Sequence, residues 1–250
     1  MGKFLIMKII SKIKIHPLFY IVAFITIITG FFKEFSYIML IILVHELGHI
    51  LTSIYFKWKI DRIMILPFGG ITIFNEKINK PLKEELLITL LGPLFQIVFC
   101  LIFKNNSTVS YFNFAILFFN LLPIYPLDGS KLVNIFCNKI SSFKLSHKIT
   151  VFISIISLII LIILKNNSLL IILILLFLLI EIIKEINKHS YYFNKFLLER
   201  YLYNFDFSKR KVIKNVNKMM KDTKHVFYID EKYYTEKDFI RKMFDNQKVL

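Results

Sequence analysis

Six long apolar runs, separated by short polar stretches, dominate the first three quarters of the chain. They lie at about 17–33, 35–56, 85–103, 109–127, 148–164 and 168–186. A membrane-spanning helix needs about 20 predominantly apolar residues, and each run is that long or nearly so. The pattern therefore predicts an all-α polytopic membrane protein, with about six transmembrane helices in a membrane domain at residues 1–186.

One connection between the runs does not resemble a polar loop. Residues 60–74 read IDRIMILPFGGITIF, so two apolar, β-branched segments flank a Pro/Gly turn. Such a pair of segments indicates a β-hairpin, which we expect to dip into the membrane against the rest of the protein. An apolar turn at the membrane surface is the alternative, because a segment that is apolar on both faces has an ambiguous period.

From about residue 187 the composition changes to mixed charge with many aromatic residues, which marks a separate basic tail at 187–250. Within it, 206–224 carries apolar residues at helical spacing, 225–230 reads as a strand, and 235–238 is a capping box that opens a last helix. This predicts a small cytoplasmic α/β tail. So small a unit buries little core, so we expect it to pack on a copy of itself or on the membrane domain. A basic tail held to anionic lipid is the alternative.

Composition and charge support a membrane protein. Hydrophobic residues make up 56% of the 250 residues, and the mean hydropathy is +0.61, which excludes an ordinary soluble domain. The formal net charge of +16 would suit a nucleic-acid partner, but the basic residues sort by connection. Six lie in 57–84, four in 128–148 and four before Pro17, against one each at Lys33, Lys104 and Lys165.

By the positive-inside rule, the richly basic connections face the cytoplasm. We therefore expect both termini, Lys77 and Lys139 to be cytoplasmic, with Lys104 and Lys165 on the outer side. The lipid bilayer accounts for the positive charge, and no nucleic-acid partner is expected.

The candidate chemistry begins in the second apolar run, where residues 45–49 read His-Glu-Leu-Gly-His. Two histidines four residues apart lie on one face of a helix and can bind one metal ion. The glutamate between them is the usual general base of a zinc protease. A charged side chain at a bilayer centre costs about 2.5–3.5 kcal/mol on insertion scales. Ionisable residues inside membrane helices are therefore rare, and they usually mark functional sites. We predict one Zn²⁺ per chain, with His45 and His49 as ligands and Glu46 as the catalytic residue.

A third zinc ligand is expected where the fourth apolar run ends. Residues 120–129 read NLLPIYPLDG, and their two prolines interrupt helical hydrogen bonding. An unwound segment at membrane depth is tolerated only where protein or a wet cavity satisfies its backbone. Asp128 therefore has a reason to point inward and bind the metal. Taken alone, the same stretch reads as an ordinary loop at a helix end.

These residues resemble the site-2 intramembrane zinc metalloproteases, whose signatures are H-E-x-x-H and a distant N-x-x-P-x-x-x-L-D-G segment. The residues that fall on the second signature are Asn120, Pro123, Leu127, Asp128 and Gly129. The chain is similar to the sporulation branch of this family in four further features. These are an early His-Pro pair at 16–17, a Pro-Phe-Gly-Gly turn at 67–70, six helices and a CBS-like tail. The resemblance covers about residues 10–200.

The resemblance is incomplete at two places. After Gly129 the relatives usually continue with another glycine and a basic or histidine residue, whereas this chain has Ser130 and Lys131. The tail is short for a pair of CBS motifs and holds one degenerate motif, which makes nucleotide binding by the tail doubtful.

The resemblance implies a zinc metalloendopeptidase of a bacterial cell membrane. It would hydrolyse a peptide bond in or near the membrane segment of a tethered regulatory protein, such as the pro-sequence of a sporulation sigma factor. Membrane inhibitor proteins are further implied partners. Asn120 would bind the substrate backbone or the developing oxyanion, and Pro126, Gly69 and Gly70 would also contact the substrate.

Two other functions remain as alternatives. A zinc transporter also carries histidine and glutamate in a spanning helix, but it needs polar sites across the bilayer. Here the first, fifth and sixth runs hold almost no ionisable residue in their interiors. A catalytically inactive membrane scaffold is the second alternative, against which the intact Glu46 argues.

Overall fold

The computed structural model describes residues 11–103, 105–164, 169–229 and 231–247. In these residues the helices are α1 (Pro17–Ile28), α2 (Phe32–Tyr55), α3 (Leu82–Ile102), α4 (Ser107–Asn120), α5 (Asp128–Ile140), α6 (Phe143–Leu164), α7 (Leu169–Asn187), α8 (His189–Leu202) and α9 (Glu236–Gln247). The strands are β1 (Ile13–Ile15), β2 (Ile60–Leu66), β3 (Gly69–Phe74), β4 (Lys209–Ile213), β5 (Thr223–Ile229) and β6 (Lys232–Thr235).

Each of the six apolar runs contains a helix, but the helices are unequal. Among the described residues, α2, α3 and α6 are long and apolar enough to cross a membrane. Helices α1 and α4 have 12 and 14 residues, or about 18 and 21 Å at the helical rise, against a hydrocarbon core of about 30 Å. Helix α7 has 19 residues but carries charge near its end, at Glu181, Lys184 and Glu185. The chain is therefore an integral membrane protein with three helices of full spanning length in its described part.

The predicted hairpin is confirmed, and it belongs to a larger sheet. Strands β2 and β3 pair antiparallel, with Ile63 opposite Thr72. Strand β1 adds in parallel to β2, so within the described ranges the order is β1-β2-β3 and one side of β3 forms a sheet edge. The described residues are mostly helical, as predicted, and contain two small mixed sheets of three strands each, one that includes the predicted hairpin and one in the tail. Strand β1 has only three residues, too few to show a period in sequence.

Helix α5 is also absent from the sequence prediction, which treated 128–148 as a connection between spans. Its 13 residues bury Ile135 and Asn138 while Phe136 and Ile140 are exposed. The apolar stripe is interrupted by polar residues that turn toward the protein, so it does not stand out as an apolar run. The helix begins at Asp128, and this start determines where that carboxylate lies.

The tail contains a three-stranded sheet in the order β4-β5-β6, followed by α9. The helix expected over 206–224 is wrong, because this segment forms β4 and a 3-10 turn at Val216–Lys218. Parallel pairing of Val212 with Val226 of β5 decides its conformation, since cross-strand packing overrides weak local preference. The predicted strand and the last helix are both confirmed, and Thr235 Oγ1 accepts a hydrogen bond from Asp238 N at 3.3 Å.

We expected the tail to pack either on a second copy of itself or on the membrane domain. In the structure the tail packs on the start of α6 of the same chain. Phe143 at the start of α6 shares one hydrophobic cluster with Phe196, Phe227 and Ile240 of the tail. The ring of Phe143 stacks on that of Phe196, with 4.5 Å between their centroids. The tail is therefore attached to the first turn of a spanning helix by buried apolar contacts.

A buried arginine joins the tail to the connection that precedes α3. The side chain of Arg200 is 2% exposed and donates to Asn79 Oδ1 at 2.5 Å and to the carbonyl oxygens of Met220 and Thr223, both at 2.9 Å. Burial lowers the pKa of the Arg200 guanidinium to about 10, which still leaves it charged at neutral pH. A buried charge needs such partners, because removing one of them leaves an uncompensated charge or polar group.

Candidate metal centre

Two histidines of α2 and an aspartate of α5 meet inside the protein. His45 Nε2 and His49 Nε2 are 3.0 Å apart, and Asp128 Oδ2 lies 3.0 Å from the first nitrogen and 2.9 Å from the second. All three residues are at most 5% exposed. The two histidines lie on one helix face as their spacing predicts, and the start of α5 brings the carboxylate to them.

Close packing of α2 on α3 fixes the position of the histidines. A Cβ atom at Gly48 would overlap the carbonyl of Leu91, so only glycine lets the two helices approach this closely. On α3, a Cβ atom at Gly92 would overlap the imidazole of His49. These two glycines leave the space that the metal centre occupies.

In each histidine the Nδ1 atom, which faces away from the shared centre, takes part in a hydrogen bond. His49 Nδ1 lies 2.7 Å from the carbonyl oxygen of Ile88, which is an acceptor, so Nδ1 carries the proton. His45 Nδ1 lies 2.8 Å from Gln96 Oε1, and Gln96 Nε2 donates in turn to the carbonyl oxygen of Asn113 at 2.8 Å. With both protons on Nδ1, each Nε2 lone pair is directed at the shared centre, which is the tautomer that a metal ligand needs.

The donor set fits one zinc ion. Two imidazole nitrogens and one carboxylate oxygen all lie within 4.8 Å of one another. Zinc binds these donor types, and catalytic zinc sites use three protein ligands. Three buried lone-pair acceptors facing one another repel unless a cation or protons lie between them, so the arrangement itself requires a positive charge.

Glu46 lies between the metal centre and the hairpin. Its side chain is buried, and its Oε2 accepts a hydrogen bond from Thr72 Oγ1 of β3 at 2.7 Å. A Cβ atom at Gly70 would overlap the Glu46 carboxyl group, so the glycine makes room for it. The hairpin therefore holds Glu46 Oε2 through the hydroxyl of Thr72, whereas Glu46 Oε1 does not take part in that hydrogen bond.

Of the remaining predicted site residues, Gly69, Gly70 and Asn120 lie at the same hairpin, whereas Pro126 lies in the turn before α5. Asn120 is buried at the end of α4, and among the described residues its Nδ2 has no hydrogen-bond partner. A Cβ atom at Gly69 would be 3.0 Å from Asn120 Oδ1, so Gly69 adjoins Asn120 while Gly70 adjoins Glu46. Pro126 follows a cis peptide bond in the turn between α4 and α5, two residues before Asp128.

Three further residues complete the site, and sequence reasoning did not assign them. Gln96 had a signal, since an amide in an apolar membrane helix usually faces protein. Thr72 had none, because threonine is common in strands. Lys131 stands where the resembling family usually has a basic or histidine residue and was given no role, yet its Nζ donates to Asp128 Oδ1 at 2.8 Å.

A cavity of about 260 Å³ lies beside this group of residues. Its walls come from the hairpin, the first turns of α3, the turn before α5 and α5 itself, and include Thr72, Ile88, Tyr125 and Lys131. Two residues of the cavity wall contact the carboxylates of the centre, because Thr72 bonds to Glu46 and Lys131 bonds to Asp128. The cavity provides space for a ligand next to the edge strand β3.

Comparison with known proteins gives a consistent result. The pattern of peptidase family M50 matches residues 34–108 and 106–164. The chain is 33% identical over 210 residues to stage IV sporulation protein FB of Bacillus subtilis, which covers 78% of this chain and 73% of that protein. It is 28% identical over 122 residues to a zinc metalloprotease of Methanocaldococcus jannaschii, covering 43% of this chain and 35% of that one. The solved structure of a site-2 protease from Methanocaldococcus jannaschii superposes with a TM-score of 0.55 at 26% identity, over 69% of this chain and 89% of that one.

Proposed function

Since this chain belongs to peptidase family M50 and is a site-2 zinc metalloprotease, we propose that it hydrolyses a peptide bond in or near the membrane segment of a tethered regulatory protein. The observation that supports this most strongly is the buried convergence of His45, His49 and Asp128 next to Glu46. An intramembrane protease needs a hydrolytic centre at membrane depth, and α2, which carries three of these residues, is a helix of spanning length.

In this proposal His45, His49 and Asp128 hold the zinc ion. Zinc supplies Lewis-acid chemistry, activating water near neutral pH and polarising the peptide carbonyl. Glu46 accepts the proton of the attacking water on its carboxylate and passes it to the leaving amine nitrogen. Thr72 donates to Glu46 Oε2 and so keeps the base in one orientation while its second oxygen takes the proton.

The substrate is proposed to bind as an extended chain along the free edge of β3. A peptide bond inside a helix is shielded, so the substrate must unwind, and an edge strand offers backbone hydrogen bonds to an unwound chain. Gly69 and Gly70 begin that edge, next to Asn120 and Glu46. The Nδ2 group of Asn120, which has no hydrogen-bond partner among the described residues, donates to the substrate carbonyl or to the developing oxyanion in this proposal. Pro126 is proposed to contact the substrate from the turn before α5.

The proposed substrate is the pro-sequence of a sporulation sigma factor, supported by the similarity to a sporulation protein. The test is coexpression of the chain with such a membrane-tethered pro-sequence. The wild-type chain should shorten it, and the Glu46→Gln variant should not. If the wild-type chain leaves it intact but cleaves another membrane protein, the sporulation role is wrong and the protease assignment stands.

We further propose six spans, with a membrane domain at 1–186, a tail at 187–250 and both termini in the cytoplasm of a bacterial cell. Contacts among the connection before α3, the start of α6 and the tail support the proposal that these segments share one side of the membrane. The ammonium group of Lys77 lies 3.2 Å from the ring centroid of Tyr203, and Lys144 Nζ donates to Asn217 Oδ1 at 3.0 Å. No nucleic-acid partner and no nucleotide ligand are proposed, and membrane inhibitor proteins remain a proposal from the resemblance.

Labelling of single introduced cysteines tests this topology. Lys104 and Lys165, which the positive-inside rule places outside, lie outside the described residues, so position 105 serves as the outer site. With Cys100 and Cys137 replaced by serine, a membrane-impermeant reagent added to intact cells should label position 105 and spare positions 77 and 139. Labelling at 77 or 139 in intact cells would overturn the six-span topology.

Two glycine substitutions should separate metal binding from proton transfer. Gly92→Ala places a methyl group on the His49 imidazole, so the purified variant should lose most of its zinc. Gly70→Ala places the same methyl group on the Glu46 carboxyl, so it should keep zinc while hydrolysis falls at least about tenfold. Metal analysis beside a peptidase assay distinguishes the two, and equal zinc content in both variants would contradict the assigned positions.

A further inference from the structure

The two oxygens of Asp128 have different partners. Oδ2 faces His45 Nε2 and His49 Nε2 at 3.0 and 2.9 Å, whereas Oδ1 is turned away and accepts from Lys131 Nζ at 2.8 Å. A separation of 2.8 Å is typical of a charge-assisted hydrogen bond. The carboxylate is 5% exposed, so water does not compete freely for Oδ1.

Helix α5 makes this contact through its own geometry. Asp128 is the first residue of the helix and Lys131 the fourth, and residues three apart lie on one helix face. The Lys131 side chain is 36% exposed and borders the cavity beside the centre, so its stem reaches the aspartate from the cavity side. One ion pair within a single helical turn thus links the cavity wall to the metal-facing carboxylate.

The second oxygen matters because a carboxylate can bind a metal ion through one oxygen or through both. A catalytic zinc site needs three protein ligands and one position left for water. If both oxygens of Asp128 turned toward the ion, the two histidines, the two oxygens and the water would make the site five-coordinate, with one ligand atom more than a catalytic zinc site uses. A cation that holds Oδ1 prevents this rotation.

We propose that Lys131 is a positioning residue that keeps Asp128 a one-oxygen ligand of the metal. This inference rests on the proposed function, because it assumes the zinc centre of His45, His49 and Asp128. It extends that function by assigning Lys131 control of the coordination number. Partners of metal ligands that orient them in this way typically account for 10- to 100-fold in metal affinity.

Cobalt substitution tests the assignment on the full-length, detergent-purified chain. Co²⁺ absorbs more strongly in a four-coordinate than in a five-coordinate site, so its visible spectrum reports coordination number without any substrate. The wild-type chain and Lys131→Arg should both give the strong four-coordinate band. Lys131→Met should give a weaker, five-coordinate band and bind Zn²⁺ about 10- to 100-fold less tightly.

The matched control is Lys139→Met, which removes an exposed lysine from the same helix and should leave the spectrum unchanged. Lys131→Leu, which also lacks a hydrogen-bond donor, gives the same comparison if Lys131→Met is unstable to heating. A wild-type band and wild-type zinc affinity in both variants would overturn the role of Lys131 while leaving the zinc centre intact. Failure of the wild-type chain to bind Co²⁺ would overturn the zinc centre itself, and the inference with it.

Discussion

Replacing Glu46 with glutamine should leave zinc in place and lower peptide hydrolysis by about 10²- to 10⁴-fold, the range that a general base contributes. The amide has the shape of the carboxylate and can still accept from Thr72, whose hydroxyl lies 2.7 Å from Oε2. It cannot take a proton from water. Metal analysis and a peptidase assay on the same purified sample measure both effects.

Glu34→Gln is the matched control, since it makes the same change in the first turn of the same helix. That variant should keep both zinc and hydrolysis. In the native cell, the Glu46→Gln chain should also retain uncleaved substrate, because binding along β3 does not need the base. Hydrolysis by Glu46→Gln within threefold of the wild-type rate would remove Glu46 from the proposed mechanism.

Removing a metal ligand should have the opposite signature, with zinc itself lost. Asp128→Ala and His45→Ala each delete one of three donors, so the content should fall from one zinc per chain to a small fraction of that value. Hydrolysis should fall with it. Asp61→Ala serves as the control, because that carboxylate is exposed on β2 and its ion pair with Arg62 is at the surface.

Zinc analysis of the dialysed proteins provides the measurement, with thermal unfolding to verify that each variant is folded. Wild-type zinc content in Asp128→Ala would move the third ligand to another residue. A loss of zinc in Asp61→Ala as well would show that the assay reports general instability instead of coordination.

Much of the metal centre could be predicted from sequence because its determinants are local. His45 and His49 share a helix face at any tertiary arrangement, and Asp128 follows two prolines that must interrupt helical bonding. The hairpin was likewise visible in the β-branched segments around Gly69 and Gly70. These features depend on residues that are close together along the chain, so they can be recognised in a single sequence.

The parts that were missed depend on contacts between distant segments. Strand β1 exists because Ile13 pairs with Ile63, and β4 is a strand because Val212 pairs with Val226. The hydrogen bonds of Gln96 and Thr72 to the centre join different elements. Spacing alone does not predict such pairings, and it led to the wrong helix in the tail.

The most direct test of the central claim starts from the membrane proteins that copurify with the Glu46→Gln variant. These proteins are treated with the wild-type chain, and mass spectrometry then identifies any cleavage products. One such protein, reconstituted in liposomes with wild-type enzyme and zinc, should gain a new terminus in or near its membrane segment. A zinc chelator should abolish that product, and the Glu46→Gln chain should not form it. If the copurified protein gives the same peptides after incubation with the wild-type chain and with the Glu46→Gln chain, and both chains bind zinc, the protease assignment is contradicted. A membrane scaffold would then be the favoured function.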